Sequence, residues 1–287
     1  MRICRFDDNR VGIVVGDEIA DVTHALDVLP GRRWPLPRHD LFVEKLPDIA
    51  ADLQRASVSA LRKNIGDVRL LSPVANPGKI IGAPVNYALH MQEAKIDTAI
   101  NLGKTIRSID EAGLFLKANS SLIGPGESVI AGQFGRRTDH EIELAFVVGR
   151  SGRNISEANA LDHVAGYMIG LDMTIRGVED RSYRKSLDTF TVLGPWLVTP
   201  DEFGDPSNVD FEIKVNGETR QKSNTKHLIY DVRKLISYAS HAYRLEAGDV
   251  ILSGTPEGVG PVVPGDVMEC WIDRIGTMVV QVEGEPA

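Results

Sequence analysis

The sequence contains little cysteine and no long apolar run. Its two cysteines, Cys4 and Cys270, stand far apart and outside any Cys-x-x-Cys arrangement, so zinc–thiolate and dithiol redox motifs are missing. No apolar stretch approaches the length of a membrane span, and the first residues lack the apolar segment of a signal peptide. Sparse cysteine suits a reducing compartment. We therefore expect a cytoplasmic protein that does not contact membranes.

Positive charge is also scarce. The chain has 32 Lys and Arg against 40 Asp and Glu, for a net charge of −8, which argues against a nucleic-acid surface. Its glycine-rich runs match neither the dinucleotide nor the phosphate-loop fingerprint. A Gly-x-Ser-x-Gly nucleophile elbow and a His-x-x-x-His pair are absent as well. These absences argue against dinucleotide-binding, phosphate-loop and nucleophile-elbow functions.

The 287 residues suffice for one large domain, or for a large domain with a small one. Two prolines and a glycine within residues 71–79 cannot continue a helix. We place a boundary there, between a small N-terminal α+β domain at residues 1–72 and a larger domain at residues 73–287. Beyond the boundary, strand-like segments dominate without regular strand–helix alternation. This order favours an α+β, mainly β architecture.

Several elements have clear local signals. Apolar patterning predicts a hairpin of strands at residues 2–6 and 11–15 and a helix over residues 41–63. Residues 155–164 are predicted as a helix with Ser156 as its N-cap. The Asn216-Gly217 pair predicts a type I′ turn between two strands. Residues 230–243 have the pattern of an amphipathic helix.

Three acidic residues lie at the ends of apolar segments. Glu141 and Glu143 begin such a segment, and residues two apart in a strand point to the same face. Asp172 ends a later one. Like charges this close repel unless a proton or a cation neutralises them, and an oxygen-only set suits Mg²⁺ or Mn²⁺ better than Zn²⁺. The alternative is a solvated strand end whose carboxylates meet Lys or Arg, but the apolar surroundings of Asp172 favour a metal.

A second pair of residues has the spacing of a general base. His90 and Glu93 are three apart, so they share a face if the segment is helical. A carboxylate orients an imidazole and raises its basicity, which suits activation of water. An ordinary surface His–Glu pair is the alternative.

Basic residues follow Asp172 in a polar stretch. Arg176 and Lys185 are candidates to hold an anionic substrate or an oxyanion. The alternative is a charged loop, which we prefer for Arg181 and Arg184. 

A turn near the C-terminus offers another anion-binding possibility. At the end of a predicted strand, the backbone at Gly254 and the hydroxyl of Thr255 are placed to grip a carboxylate. Simple turn chemistry is the alternative.

From residue 79 to about residue 283 these motifs together resemble the fumarylacetoacetate hydrolase family. The matching segments, in order, are Asn86-Tyr87-x-x-His90, Phe115-Leu116-Lys117, Asp139-x-Glu141-x-Glu143-Leu144-Ala145, Gly166-Tyr167, Asp172-Met173-Thr174-x-Arg176, Lys185-x-x-Asp188-Thr189-Phe190, Gly194-Pro195-Trp196, Val215-Asn216-Gly217-Glu218-x-x-Gln221 and Gly248-Asp249-Val250-Ile251-x-Ser253-Gly254-Thr255-Pro256-x-Gly258-Val259-Gly260.

The resemblance implies a mixed β-roll or sandwich catalytic domain, usually dimeric, behind a variable N-terminal domain. It implies Mg²⁺ or Mn²⁺ held by Glu141, Glu143 and Asp172. It also implies that His90 and Glu93 form the water-activating dyad, on a segment that often orders as a lid over the substrate.

Further site residues follow from the same resemblance. Lys185 is implied as catalytic, and the implied substrate-binding positions are Arg176, Thr255, Gly254, Tyr87 and Glu179. A Gln is common in the family where Glu179 stands, and a negative charge there either disfavours an anionic substrate group or holds a basic residue. The segment 94–113 looks longer than in compact members and is expected to shape substrate choice.

The leading functional hypothesis is hydrolysis of a carbon–carbon bond in a 2,4-dioxo acid, an acylpyruvate or a fumarylacetoacetate-like compound. The products are a carboxylic acid and pyruvate or an acetoacetate-like acid. The alternatives are an oxaloacetate-type decarboxylase or a 2-hydroxydienedioate isomerase (a tautomerase), and, in another class, a non-catalytic metabolite sensor. The predicted dyad of His90 and Glu93 favours hydrolysis, because decarboxylation needs no activated water.

Overall fold

Strands dominate the computed structural model, which describes residues 1–285. The strands in the first half are β1 (Arg2–Phe6), β2 (Arg10–Val15), β3 (Glu18–Asp21), β4 (Arg62–Asn64), β5 (Leu70–Leu71), β6 (Ile80–Gly82), β7 (Phe115–Lys117), β8 (Leu122–Ile123), β9 (Val129–Ile130) and β10 (Thr138–His140). Those in the second half are β11 (Ile142–Val148), β12 (Val164–Asp172), β13 (Thr174–Ile175), β14 (Thr191–Val198), β15 (Asp210–Val215), β16 (Glu218–Asn224), β17 (Val250–Leu252), β18 (Gly260–Val262), β19 (Val267–Ile272) and β20 (Gly276–Glu283).

Helices are fewer and mostly short. The α-helices are α1 (Leu41–Ser59), α2 (Ala88–Ile96), α3 (Thr98–Asn101), α4 (Ile109–Ala112), α5 (Arg181–Arg184), α6 (Pro200–Phe203) and α7 (Val232–Ala242). Single 3₁₀ turns occur at Thr23–Val28, Ile65–Asp67, Asn119–Ser121, Gln133–Gly135, Glu157–His163 and Thr225–His227. Within residues 1–285, none of the helices combines the length and apolar character needed to cross a bilayer.

One twelve-stranded sheet organises the chain. Its main path runs β4-β3-β2-β1-β14-β12-β11-β17-β6-β7, with β5 paired to β1 and β8 paired to β14. Strand β1 is antiparallel to β14, with Ile3 opposite Leu197. The strands of the leading segment therefore continue the sheet formed by the rest of the chain. The division at residue 72 stays a prediction.

The central strands are buried on both faces. All seven residues of β11 are buried, because its even-numbered residues belong to the apolar core on one side and Ala145 and Val147 to the core on the other. The first core also holds residues of β15 and β19 from the five-stranded sheet, and the second holds the buried face of α1. The large sheet is thus a layer between a helix and a second sheet. The expected α+β, mainly β sandwich is confirmed.

The predicted turn is confirmed, whereas two of the predicted helices differ from the structure. The turn at Asn216-Gly217 has φ of 52° and 80°, as a type I′ turn requires. The helix predicted over 155–164 is instead a 3₁₀ helix, Glu157–His163, and the Ser156 side chain makes no capping hydrogen bond. The helix predicted over 41–63 ends at Ser59, because residues 62–64 pair with β3 and form the edge strand β4.

Candidate active site

The pairing of β11 with β12 brings the three predicted carboxylates together. Ile142 lies opposite Leu171, and the backbone N–H of Asp172 donates to the carbonyl of Glu141 at 2.9 Å. Glu141, Glu143 and Asp172 are only 5%, 2% and 1% exposed. One carboxylate oxygen from each lies within 4.8 Å of the others. The set is therefore a buried cluster and not a solvated strand end.

Two of the three carboxylates have cationic partners. The Lys185 ammonium donates to Glu141 at 2.7 Å, to Asp172 at 2.6 Å and to the Thr174 hydroxyl at 2.7 Å. The Lys117 ammonium also donates to Asp172. Burial is the largest single influence and opposes ionisation of Glu141. The charges of Lys185 and then Arg176, with the Lys185 hydrogen bond, together outweigh it and lower the pKa of Glu141 to about 2.

Glu143 is the carboxylate without a cation. Its hydrogen bond comes from the backbone N–H of Gly254, at 2.6 Å. Among residues 1–285 no Lys, Arg or His forms an ion pair with it. Burial, and then repulsion from Asp172, raise the pKa of Glu143 well above its usual range.

This arrangement fits a hard divalent cation. The donors are all oxygen, which Mg²⁺ and Mn²⁺ prefer. An added cation would neutralise Glu143, which the protein itself leaves uncompensated. The two lysines supply less charge than three ionised carboxylates carry, and the other cation at Glu141, Arg176, is shared with Asp139. The residues present therefore suit the metal that the sequence predicts.

The predicted His–Glu dyad forms at the start of α2. The Nδ1 atom of His90 lies 2.9 Å from a carboxylate oxygen of Glu93, and the other oxygen accepts from the backbone N–H of Gly258 at 2.9 Å. His90 lines the same pocket as the three carboxylates. The dyad therefore presents its second ring nitrogen, Nε2, as the one available to a ligand.

Thr255 and Gly254 make contacts within the protein. The Thr255 hydroxyl donates to the carbonyl of Ile142 at 2.9 Å and accepts from Gln221 at 2.7 Å. Thr255 lines the pocket, whereas the N–H of Gly254 is directed at Glu143. These contacts fix the loop after β17 against the start of β11.

Arg176 has a partner of its own at the pocket wall. Its Nε donates to Asp139 at 2.7 Å, and its Nη2 lies 3.5 Å from Glu141. Arg176 and Lys185 both line the pocket. They place positive charge beside the carboxylate cluster, where an anionic substrate would lie.

Tyr87 and Glu179 lie elsewhere. The Tyr87 ring is buried edge-to-face against Phe211, with centroids 6.2 Å apart. Glu179 forms a two-pronged ion pair with Arg136, at 2.9 and 2.8 Å, so it holds a basic residue. Neither is part of the described lining of the pocket. Their predicted contacts with substrate stay predictions.

Three further residues of the site were not predicted. Lys117, in β7, is fully buried against Asp172. Arg181 and Arg184, assigned to a charged loop by the sequence analysis, lie on α5 and line the pocket, so that assignment was wrong. The available signal was the spacing of Arg181, Arg184 and Lys185, which share one helical face at three and four residues apart.

Comparisons with known proteins point to one family. The model of the family described as fumarylacetoacetate (FAA) hydrolase C-terminal matches residues 79–283. The chain is 54% identical over 284 residues to a maleylpyruvate hydrolase of Aquipseudomonas alcaligenes, covering 98% of this chain and 99% of the relative. It is 37% identical over 225 residues to a mitochondrial oxaloacetate tautomerase of Xenopus laevis, covering 74% and 67% of the two chains.

A solved structure extends the similarity to the whole chain. The structure of maleylpyruvate hydrolase from a Sphingobium species in complex with manganese(II) and pyruvate superposes with a TM-score of 0.84 at 38% identity, covering 100% of both chains. The order of motifs, the cluster of buried carboxylates and these similarities lead to one conclusion: the chain belongs to the fumarylacetoacetate hydrolase family.

Proposed function

We propose that this protein is a Mg²⁺- or Mn²⁺-dependent hydrolase of 2,4-dioxo acids, which cleaves an acylpyruvate into pyruvate and a carboxylic acid. The observation that carries the proposal is a general-base dyad, His90 with Glu93, in the same pocket as three buried carboxylates. Full-length similarity to a maleylpyruvate hydrolase supports it, as does the manganese and pyruvate bound to a similar protein.

In this proposal Glu141, Glu143 and Asp172 hold the metal. The ion, when bound, supplies Lewis acidity toward substrate oxygens and neutralises the carboxylates. The remaining chemistry belongs to side chains of the chain.

The first chemical step is removal of a proton from water by His90. Glu93 holds Nδ1, so Nε2 accepts the proton, and the Glu93 charge stabilises the imidazolium that forms. The Gly258 N–H fixes Glu93 in turn. The hydroxide oxygen attacks the substrate carbonyl at C4, and its new bond to that carbon makes the tetrahedral intermediate.

The second step breaks the bond between C3 and C4. Its electron pair stays on the three-carbon fragment as the pyruvate enolate, which takes a proton at C3, and His90 releases the proton that it removed from water. The other fragment leaves as the carboxylic acid. Arg176 and Lys185 place positive charge beside this fragment, in a buried site where charge acts strongly. Because the Lys185 ammonium already has three acceptors, its effect on the enolate is electrostatic.

The second candidate function is tautomerisation or decarboxylation of a 2-oxo diacid such as oxaloacetate. The similarity to an oxaloacetate tautomerase favours it. Neither reaction consumes water. In either of them His90 would transfer a proton of the substrate and would not activate water.

Product analysis in ¹⁸O-labelled water distinguishes the candidates. The protein, loaded with Mg²⁺ or Mn²⁺, is incubated with a panel of acylpyruvates and with oxaloacetate. Hydrolysis releases equal amounts of pyruvate and a second acid, and one ¹⁸O atom enters that acid. Carbon dioxide release, or keto–enol exchange without cleavage, across the whole panel would contradict the hydrolase and identify the second candidate.

We also propose a homodimer and a cytoplasmic location. The first rests on the family resemblance and the second on sparse cysteine use. Light scattering coupled to size-exclusion chromatography tests the dimer, and fractionation of the source cells tests the location.

A further inference from the structure

Two arginines on α5 share the pocket with the carboxylate cluster. Arg181 and Arg184 are three residues apart, so they occupy one face of the single turn of α5. Both are half-buried, and both line the pocket that also contains His90. They therefore place two guanidinium groups where a bound substrate would lie.

These two arginines lack the acidic partners that neighbouring arginines have. Arg136 pairs with Glu179, and Arg137 and Arg176 pair with Asp139. Within residues 1–285, by contrast, Arg181 forms no ion pair and no side-chain hydrogen bond. In the same described residues, the one side-chain hydrogen bond of Arg184 goes to the backbone carbonyl of Glu179, at 2.9 Å.

The surroundings of the two guanidinium groups favour the binding of an anion. Burial is the largest cause that lowers the pKa of both groups. Attraction to Glu141 opposes the effect of burial at both groups. Repulsion from Arg107 adds to the effect of burial at Arg181, and repulsion from Arg176 adds to it at Arg184. Partly desolvated like charges are costly unless an acidic group joins them. A ligand carboxylate would supply that group.

The two arginines also line a second cavity, which the carboxylates proposed to bind the metal do not line. Arg181 and Arg184, with Ile100 and Ile106, also line a neighbouring cavity. The carboxylate cluster and His90 line only the first pocket. The arginines thus stand at the border between the two cavities, and the two isoleucines provide apolar contact for a carbon chain that extends toward them.

We propose that Arg181 and Arg184 bind a second carboxylate at the acyl end of the substrate, so that this enzyme selects 2,4-dioxo diacids over acylpyruvates with a neutral acyl group. A guanidinium group matches a carboxylate with two parallel hydrogen bonds. This inference rests on the proposed function and adds the residues that determine substrate choice.

A matched pair of substrates tests the proposal. 2,4-Dioxoheptanedioate and 2,4-dioxoheptanoate have the same chain and differ only in a terminal carboxylate or methyl group. We expect the native enzyme to prefer the diacid. Arg181→Gln and Arg184→Gln should each lower kcat/KM for the diacid by about tenfold to a hundredfold, mainly through KM, because a hydrogen-bonded charge contributes that much. The neutral substrate should change less than about threefold.

Arg153→Gln is the matched control, because Arg153 is exposed and forms no ion pair within the described chain. It should leave both substrates unaffected. Arg184→Lys should restore part of the diacid preference, since a charge remains but the two-pronged geometry is lost. Thermal unfolding checks that each variant is folded. Equal losses on both substrates, or no preference for the diacid in the native enzyme, would overturn the inference while leaving the hydrolase intact.

Binding of non-cleavable analogues decides the matter even if no acylpyruvate is hydrolysed. 2-Oxoheptanedioate and 2-oxoheptanoate retain the 2-oxo acid end and again differ only at the far terminus. Calorimetric titration of the Mg²⁺-loaded protein should give tighter binding of the diacid, and either Gln variant should abolish the difference. A protein that binds the diacid selectively but cleaves nothing would refute the proposed hydrolysis alone. Equal binding of the two analogues would refute the role of the arginines.

Discussion

At the scale of single residues, Glu143 defines the site. It is buried beside two other carboxylates and has a backbone N–H but no cation as its partner. The folded chain therefore retains an electrostatic repulsion between Glu143 and the neighbouring carboxylates. Such an arrangement is stabilised when a metal ion binds the folded state.

Replacement of Glu143 by Gln should therefore act in opposite directions on stability and on metal binding. Without metal, the variant should unfold at the same temperature as the native protein or a higher one, because a disfavoured buried charge is gone. With Mg²⁺ at about a hundred times the native Kd, the native protein should gain about 2.7 kcal/mol of stability, and the variant almost none. Thermal unfolding with and without EDTA measures both effects. A variant that retains the full metal-induced shift would exclude Glu143 as a ligand.

Replacement of His90 by Gln should separate catalysis from metal binding. Loss of a general base lowers kcat by about a hundredfold to ten-thousandfold, while the metal-induced shift in unfolding temperature should remain. His241→Gln is the control, because His241 is exposed on α7 and, within residues 1–285, its side chain bonds only to the carbonyl of Ser237. Unchanged kcat in the His90 variant would contradict the dyad.

The sequence made both predictions possible because strand and helix periodicities are local. Residues that are two apart in a strand, or three apart in a helix, lie on the same face. Lys117 was missed for the opposite reason. It reaches Asp172 across 55 positions of sequence, and no local pattern reports such a contact.

At the scale of elements, the loop between β17 and β18 positions the site. Gly254 has a φ of 95°, and a Cβ atom there would lie 2.7 Å from the Cβ of Asn86. The glycine is needed both for its backbone conformation and for the space, and its N–H is bonded to Glu143.

Gly254→Ala should therefore damage folding and metal binding together. Strain at positive φ costs about 1–2 kcal/mol, and the clash with Asn86 adds to it and displaces the N–H. Gly217→Ala is a control, because Gly217 has a φ of 80° but open space around it. It should show the strain alone, with metal affinity unchanged. Chemical denaturation and metal titration measure the two effects, and equal metal affinity in both variants would refute the role of the Gly254 N–H.

Two elements differ from the secondary structure that the sequence pattern predicts. Residues 62–64 continue a helical pattern but form β4, because the edge of β3 offers backbone partners. The 3₁₀ helix at Glu157–His163 packs against α7. Tertiary contacts outweighed the weak local preference in both segments.

At the scale of the whole molecule, the leading segment is part of the large sheet. Strand β1 pairs with β14, and apolar residues of β2 and α1 share a core with Ala145, Val147 and Leu193. The prolines near residue 72 predict a domain boundary. In the structure, hydrogen bonds and apolar contacts join the segments on the two sides of that position.

Removal of residues 1–72 should consequently destabilise the remainder. The cut exposes the edge of β14 and one whole apolar core, and open edges with apolar faces aggregate. We expect the fragment 73–287 to be aggregated or without a cooperative unfolding transition, as judged by light scattering and calorimetry. A monodisperse fragment with native metal affinity and activity would show instead that the two parts fold independently.

The sequence by itself predicted the class of fold, the three carboxylates and the dyad, because each depends on residue type and short spacing, and the order of its motifs resembled the family. Only the tertiary structure decided which charges are compensated. Within residues 1–285, Lys185 and Lys117 pair with Glu141 and Asp172, whereas Glu143 pairs with no cation. In the same residues Arg136 pairs with Glu179, whereas Arg181 and Arg184 form no ion pair. Compensation depends on distance and burial in three dimensions. For that reason the carboxylates proposed to bind the metal were visible in the sequence, and the arginines proposed to select the substrate were not.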